Sequence, residues 1–411
     1  MPIKIHENGR EFHLYNHKIS YIMTILRNGQ LGHLYYGKAV RDQASFEHML
    51  EIRIRSMAPC FYEGDREFSM EHIKQEYPSY GHGDMRCPAY DILQADGSRI
   101  TEFVYESHCV REGKPALKGL PATYAEQARE ASTLKDAWIK TKLILTYTIY
   151  ENLPVITRSA RFICDHEDGV VLNQAMSASL DLPDSVFEMV ELTGAWARER
   201  NVKTRRLEHG VQSVYSMRGC SSSNYNPFIA LKRPDTGEHA GEVYGFSLVY
   251  SGNFLAQAEV DTYDVTRVML GIHPHCFSWP LKKGEMFQTP EVVMVYSDSG
   301  LNGMSQTYHE LYRSRLARGP WRDRARPILI NNWEATYFDF DEEKILKLAR
   351  TAKDVGVELF VLDDGWFGRR DDSRSSLGDW YPYRKKLPEG VAGIARRIEE
   401  MGLAFGLWIE P

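Results

Sequence analysis

Asp363 and Asp364 stand side by side at the end of an apolar run, Glu358-Leu-Phe-Val-Leu362, and are followed by Gly365 and Trp366. Two other apolar runs end in a similar way. Pro327-Ile-Leu-Ile330 leads into Asn331-Asn332-Trp333-Glu334, and Leu403-Ala-Phe-Gly-Leu407 leads into Trp408-Ile409-Glu410. Each end therefore offers polar groups beside an indole. Carboxylates accept hydrogen bonds from hydroxyls, and a flat indole face covers the apolar C–H face of a sugar ring. Five of the eight tryptophans (Trp321, Trp333, Trp366, Trp380 and Trp408) fall in residues 321–411, so aromatic surface is concentrated where these ends lie. Together these residue types suit a neutral, polyhydroxylated ligand.

The same residues admit plainer readings. Trp333 and Trp408 fit rim packing, and Asp363-Asp364 fits a turn or helix-cap pair. With Asp371 and Asp372 nearby, a cation site is a further alternative. The run Arg369-Arg370-Asp371-Asp372 reads as a solvated loop. His273-Pro-His-Cys276 carries ligand-type side chains, but a lone His-x-His fits a strand or loop better than a metal centre. Gly-x-Gly-x-x-Gly, P-loop and Gly-x-Ser-x-Gly patterns are absent, which leaves dinucleotide, phosphate and serine-hydrolase chemistry without support.

The three ends must be positioned by elements, and the pattern of residues 327–411 supplies them. Apolar strands expected at 327–333, 358–364 and 403–409 alternate with amphipathic helices at 341–355 and 391–401, and a long Gly/Asp/Arg loop runs from the second strand to Pro388. This β-α-β-loop-α-β order signals a parallel sheet buried on both faces, whose ligands meet the carboxyl ends of the strands. Before it, residues 1–320 read as β. Ser20–Leu26 and Leu31–Tyr36 flank Asn28-Gly29, a hairpin signal, and Thr141–Tyr150 alternates with Leu143, Leu145, Tyr147 and Ile149 on one face. Further strands are expected at 243–250 and 292–296, and a helix at 301–318. Strands in series without helices mean antiparallel sheets, most simply packed as a large sandwich. The expected domains are 1–320, ending in a linker helix, and 321–411. A (β/α)8 barrel needs eight βα units, and 327–411 supply fewer than three, so the chain is expected to be the front portion of a longer one.

Composition narrows the remaining classes. Fifty basic against 56 acidic residues give a net charge of −6, so no basic surplus points to nucleic acid or an anionic membrane. No apolar run approaches the roughly 20 residues of a membrane-spanning helix. Met1–Glu7 lacks the apolar core of a secretion signal, the six cysteines are scattered singly, and Asn-x-Ser/Thr is absent. A reducing, cytoplasmic setting is the expectation.

Arg326-Pro-Ile-Leu-Ile-Asn-Asn-Trp-Glu-Ala-Thr-Tyr337 and Val361-Leu-Asp-Asp-Gly-Trp-Phe-Gly368 resemble segments of the bacterial α-galactosidases of glycoside hydrolase family 36. Leu377-Gly-Asp-Trp380, Lys386-Leu-Pro-Glu-Gly390 and Gly406-Leu-Trp-Ile-Glu-Pro411 follow in the same order. So do Gln75-Glu-Tyr-Pro-Ser-Tyr-Gly81 and Gly83-Asp-Met-Arg86 in the β region. The resemblance implies an N-terminal antiparallel β-supersandwich followed by the first βα units of a (β/α)8 barrel. It also implies a homotetramer, an α-galactoside oligosaccharide such as melibiose or raffinose as substrate, and no metal or organic cofactor.

Carried over by position, Asp363 and Asp364 are implied to bind the galactose 4- and 6-hydroxyls, with Trp333 and Trp408 as aromatic walls. In tetrameric members a loop of the β domain reaches a neighbouring subunit's active site; Asp65-Arg66 and Gly83–Arg86 are the candidates here. The family retains anomeric configuration through one nucleophilic and one acid/base Asp. Both are expected beyond Pro411, so no catalytic residue is assigned within these 411 and the chain alone is expected to be inactive. A non-catalytic galactoside-binding or assembly fragment and an α-N-acetylgalactosaminidase are the alternatives.

Overall fold

A computed structural model describes residues 3–6, 9–114, 116–125 and 128–410, with the backbone alone over 128–133. The Met1–Glu7 reading therefore rests partly, and Pro411 wholly, on positions outside the described residues. The chain divides into two compact units, Met1–Ala317 and Arg318–Pro411.

The first unit is built from antiparallel sheets. Ile3–Ile5, Glu11–Tyr15, Ile19–Ile25 and Leu31–Lys38 pair in chain order as a four-stranded sheet. Its predicted hairpin forms at Asn28-Gly29. Gly29 has φ of +83°, which an L side chain rarely adopts, and the Leu26 N–H donates to the Gln30 carbonyl at 2.8 Å to close the turn. A six-stranded and a ten-stranded sheet follow. Val170–Leu182, in the six-stranded sheet, pairs with Tyr90–Leu93, Thr266–Ile272 and Trp279–Leu281. In the ten-stranded sheet Thr141–Ile149 lies beside Val155–Cys164.

One buried cluster takes side chains from all three sheets, including Phe12 and Tyr21, Leu172 and Leu180, and Leu143 and Tyr147. That shared interior is what makes the sheets a sandwich. The helix Gly300–Arg315 lays Met304, Tyr308 and Leu311 on the outer face of the large sheet, against Val155, Val293 and Val295. Strand Glu291–Ser297 is consequently buried on both faces, with Val292 and Met294 turned to the sandwich core and Val293 and Val295 to the helix. Continuous apolar strands thus occur in an antiparallel sheet when a helix covers its outer face.

Charge is buried in this unit too, much of it in ion pairs. Arg267 reaches Asp181 and Asp84, each at 2.8 Å, and Arg86 reaches Asp84 at 2.8 Å. Glu76 accepts from Tyr21, Tyr147 and His33 within 2.9 Å and faces Arg158 at 3.2 Å. The two β-region motifs of the sequence therefore supply interior ion pairs.

In the second unit three strands, β1 (Leu329–Asn331), β2 (Leu359–Leu362) and β3 (Ala404–Leu407), pair parallel in that order. A short helix α1 (Trp333–Thr336) follows β1, then α2 (Glu342–Asp354) before β2 and α3 (Gly390–Glu400) before β3. Asp341 caps α2 by accepting the Lys344 N–H at 2.9 Å. Ile345, Leu346 and Ala349 of α2 meet Phe360 and Leu362 of β2 and Ile394 and Ile398 of α3.

Two expectations need correction here. The first strand is three residues long, because Asn332 turns the chain into α1. Burial on both faces also fails for β1, where Leu329 is 53% and Ile330 43% exposed, and for β3, where Ala404 is exposed and Phe405–Leu407 are half-buried; no described element covers them. Among the described residues no helix is long and apolar enough to cross a membrane.

Candidate ligand-binding mouth of the parallel sheet

The carboxyl ends of β1 and β2 are tied together by asparagines. The Asn332 side-chain oxygen accepts the Asp363 N–H at 2.9 Å, while its amide donates to Thr336 Oγ1 at 2.8 Å. Asn332 is fully buried, so it serves as an internal brace. Asn331 Nδ2 donates to Asp363 Oδ2 at 2.6 Å, and the other oxygen, Oδ1, accepts the Asp364 N–H at 2.8 Å. Asp363 is 8% and Asp364 7% exposed.

Asp364 is held from the loop that follows. Arg370 donates to it with Nε at 2.6 Å and Nη2 at 2.9 Å, a bidentate pair, and with Nη1 to the Ser375 carbonyl at 2.6 Å. Arg370 is 5% exposed, which corrects the solvated-loop reading of residues 369–372. Desolvating an arginine requires a carboxylate partner, and its partner lies six residues upstream. Asp371 and Asp372 do face solvent.

The loop itself is ordered by folding back. Gly368 N–H donates to the Tyr381 carbonyl at 2.9 Å and Tyr383 N–H to that of Trp366 at 2.8 Å. Phe367 is thereby set against Trp380, with ring centroids 4.5 Å apart. Lys386, also buried, donates to the carbonyls of Phe338 at 2.7 Å, Arg370 at 3.0 Å and Gly365 at 3.2 Å. Burial pushes its ammonium below the usual lysine range, against the opposing pull of Asp371 at 3.2 Å.

The tryptophans frame these acids. Trp408 N–H donates to the Leu362 carbonyl at 2.9 Å, fastening it beside the residue that precedes Asp363. Its own carbonyl accepts from Trp366 Nε1 at 2.9 Å, and its ring stacks on Phe367 at 6.3 Å. Trp333 opens α1, edge-on to Tyr337 and Phe338 at 5.2 and 5.1 Å. Both indoles are half-buried. Asp363, Asp364, Trp333 and Trp408 thus all lie at the carboxyl ends of the parallel strands.

Arg66 belongs to the first unit, where it is exposed in a loop next to Asp65, which pairs with Arg27 at 3.0 Å. Asp84 and Arg86 are committed to the interior ion pairs described above. Sequence reasoning missed Arg370 and Lys386 as parts of the site, and named Asn332 only as a polar group at a strand end, not as its brace. The one signal for Arg370 was an arginine pair within a few residues of two consecutive carboxylates.

Chemically, the mouth presents carboxylate oxygens that each already accept one hydrogen bond and retain a second acceptor direction. That arrangement receives hydroxyl donors. Among the described residues no group of three or more His, Cys, Asp or Glu side chains converges as a metal-ligand set.

Two family models match the chain: the glycosyl hydrolase family 36 N-terminal domain over residues 29–282 and melibiase over 286–411. The chain is 54% identical to α-galactosidase AgaA of Geobacillus stearothermophilus, over all of this chain and 57% of that protein. It is 44% identical to α-galactosidase Mel36A of Lactobacillus acidophilus, over all of this chain and 56% of that protein. Among solved structures, a substituted AgaA in complex with raffinose superposes with a TM-score of 0.93, covering 98% of this chain and 56% of its own. The α-galactosidase of Lactobacillus brevis, 41% identical, superposes with a TM-score of 0.96, covering 99% and 56% respectively. The chain spans a little over half the length of these relatives.

Proposed function

The chain belongs to glycosyl hydrolase family 36, and from that membership we propose that its protein is an α-galactosidase releasing terminal α-D-galactosyl residues from raffinose- and melibiose-type oligosaccharides. The observation that carries this reading is the pair Asp363 and Asp364, buried side by side at a parallel strand end with free acceptor directions, next to Trp408. A galactose 4-hydroxyl is axial and a glucose 4-hydroxyl equatorial. A buried carboxylate aimed at the axial position is left without its partner when glucose binds, which costs affinity. Trp333 and Trp408 supply the apolar walls for the sugar's C–H faces, and the site needs no metal or organic cofactor.

The 411 residues supply binding and orientation. The nucleophile and the acid/base of a retaining double displacement are assigned to none of them; Asp363 and Asp364 are given to binding, with their carboxylates oriented by Asn331, the Asp364 N–H and Arg370. We further place the protein in the cytoplasm as a homotetramer in which Arg66 serves a neighbouring subunit. Six cysteines without a disulfide support the reducing compartment.

The test is hydrolysis of an aryl α-galactoside, raffinose and melibiose by the whole polypeptide that the gene encodes. Galactose should be released first as the α-anomer, with aryl α-glucoside and α-N-acetylgalactosaminide left intact. Preferential cleavage of the N-acetylated substrate would move the reading to an α-N-acetylgalactosaminidase. Galactose binding without any turnover would leave a binding module. The 411-residue chain alone is expected to show no turnover. Light scattering should give four times the subunit mass, and fractionation should find the protein in the cytosol.

A further inference from the structure

We infer that Arg370 is the positioning residue of the galactose mouth, acting through Asp364. The inference rests on the function proposed above. A guanidinium is planar and presents its donors in a fixed fork, so a bidentate pair sets the plane of the carboxylate as well as its place. At Asp364 that fork takes one acceptor direction of each oxygen and leaves the remaining pair turned away from the arginine.

The same guanidinium lies 5.5 Å from the ring centroids of both Phe338 and Phe367. Phe338 meets Trp333 edge-on, and Phe367 stacks on Trp408. One cation therefore lies against the acid and against one ring neighbour of each indole. Lys386 repeats the pattern on the backbone, where it holds the carbonyls of Phe338, Gly365 and Arg370. Side chains and main chain of the mouth are thus fixed by separate buried cations, neither of which contacts ligand in this reading.

A positioning role through Asp364 has a signature that general loss of structure lacks. The effect of changing Arg370 must be coupled to the one hydroxyl that Asp364 receives. Binding of galactose, 4-deoxygalactose and 6-deoxygalactose to the whole polypeptide is measured by calorimetry for the wild type, Arg370→Met and Arg370→Lys. Galactose is expected to bind Arg370→Met at least about tenfold more weakly than wild type, the size of a lost charge-assisted hydrogen bond. The deoxy-sugar that lacks the hydroxyl received by Asp364 should bind the wild type and this variant within about twofold of each other, since that contact is already gone.

Arg370→Lys keeps the charge but not the fork. It is expected to show a smaller loss at the same hydroxyl, and it carries the comparison if the Met variant does not fold. Equal weakening of all three sugars, or no weakening, overturns the inference while leaving the proposed function intact. A wild type that binds no galactose overturns both.

Discussion

A carboxylate oxygen has two acceptor directions, and at Asp363 and Asp364 one of each is already occupied. Both oxygens of Asp363 accept from N–H donors. Asp363→Asn therefore turns an amide nitrogen either toward the Asp364 N–H or toward the Asn331 amide, donor against donor. Calorimetric titration with galactose should show affinity falling about tenfold to a hundredfold. Retention of wild-type affinity would remove Asp363 from the sugar site. At this scale the sequence was legible where residue type and position coincide, as in paired aspartates and indoles at strand ends. It was not legible at Arg370. A run of two arginines and two aspartates looks solvated by composition, and only the folded loop shows that the second arginine is inside while Asp371 and Asp372 are outside. Asn332 was equally opaque, because a buried asparagine bracing a neighbouring strand differs from a surface one only in its surroundings.

Helices α2 and α3 and the three strands of the second unit were foreseen by their pattern, with shifted boundaries, whereas α1, which opens on the last residue of the expected first strand, was not. Asp341 was placed inside α2 and is its N-cap; Asp341→Ala should lower stability by about 1 kcal/mol in urea unfolding followed by far-UV circular dichroism. The turn after β2 is more demanding. Gly365 has φ of +96°, and a Cβ there would lie 3.1 Å from Phe340 and 3.2 Å from Phe338. Gly365→Ala should cost about 1–3 kcal/mol in the same measurement, and it should weaken galactose binding beyond that loss, since Asp364 is the adjoining residue. An unchanged unfolding midpoint would mean that the backbone relaxes without strain. In the first unit the Asn28-Gly29 hairpin was plain from two residues. The pairing of Val170–Leu182 with three different strands was not, since no local pattern names a partner some 80 or 100 residues away.

Across the larger unit the consequence of folding with most weight is the burial of charge. Burial alone would raise the pKa of Asp181, but the charge of Arg267, with its hydrogen bonds, outweighs this and holds the group at about 2. Its folded-state value thus lies below the unfolded value of about 4, so the native state keeps a charge that the unfolded chain gives up. The resulting stability is complete above about pH 4 and is lost as the pH falls through about 2. Urea midpoints measured between neutral and acidic pH should decline in that window. Asp181→Asn should blunt the decline. At neutral pH it should cost about 3–5 kcal/mol, because Arg267 would keep its charge and lose one of its two carboxylate partners. An undiminished acid response in the variant would mean that other carboxylates set it.

The sequence by itself determined the order of elements, the change from antiparallel to parallel grammar after about residue 320, the acidic and aromatic character of the strand ends, and the family. These follow from hydrophobic period, turn residues and local motifs, all of which act over a few positions of the chain. Tertiary structure alone decided which charges are inside. Arg370 clasps Asp364, Lys386 holds three carbonyls, and Arg267 joins Asp84 to Asp181. Desolvating a charge is tolerable only when its partner arrives from another part of the fold, and that arrival is a property of the assembled chain.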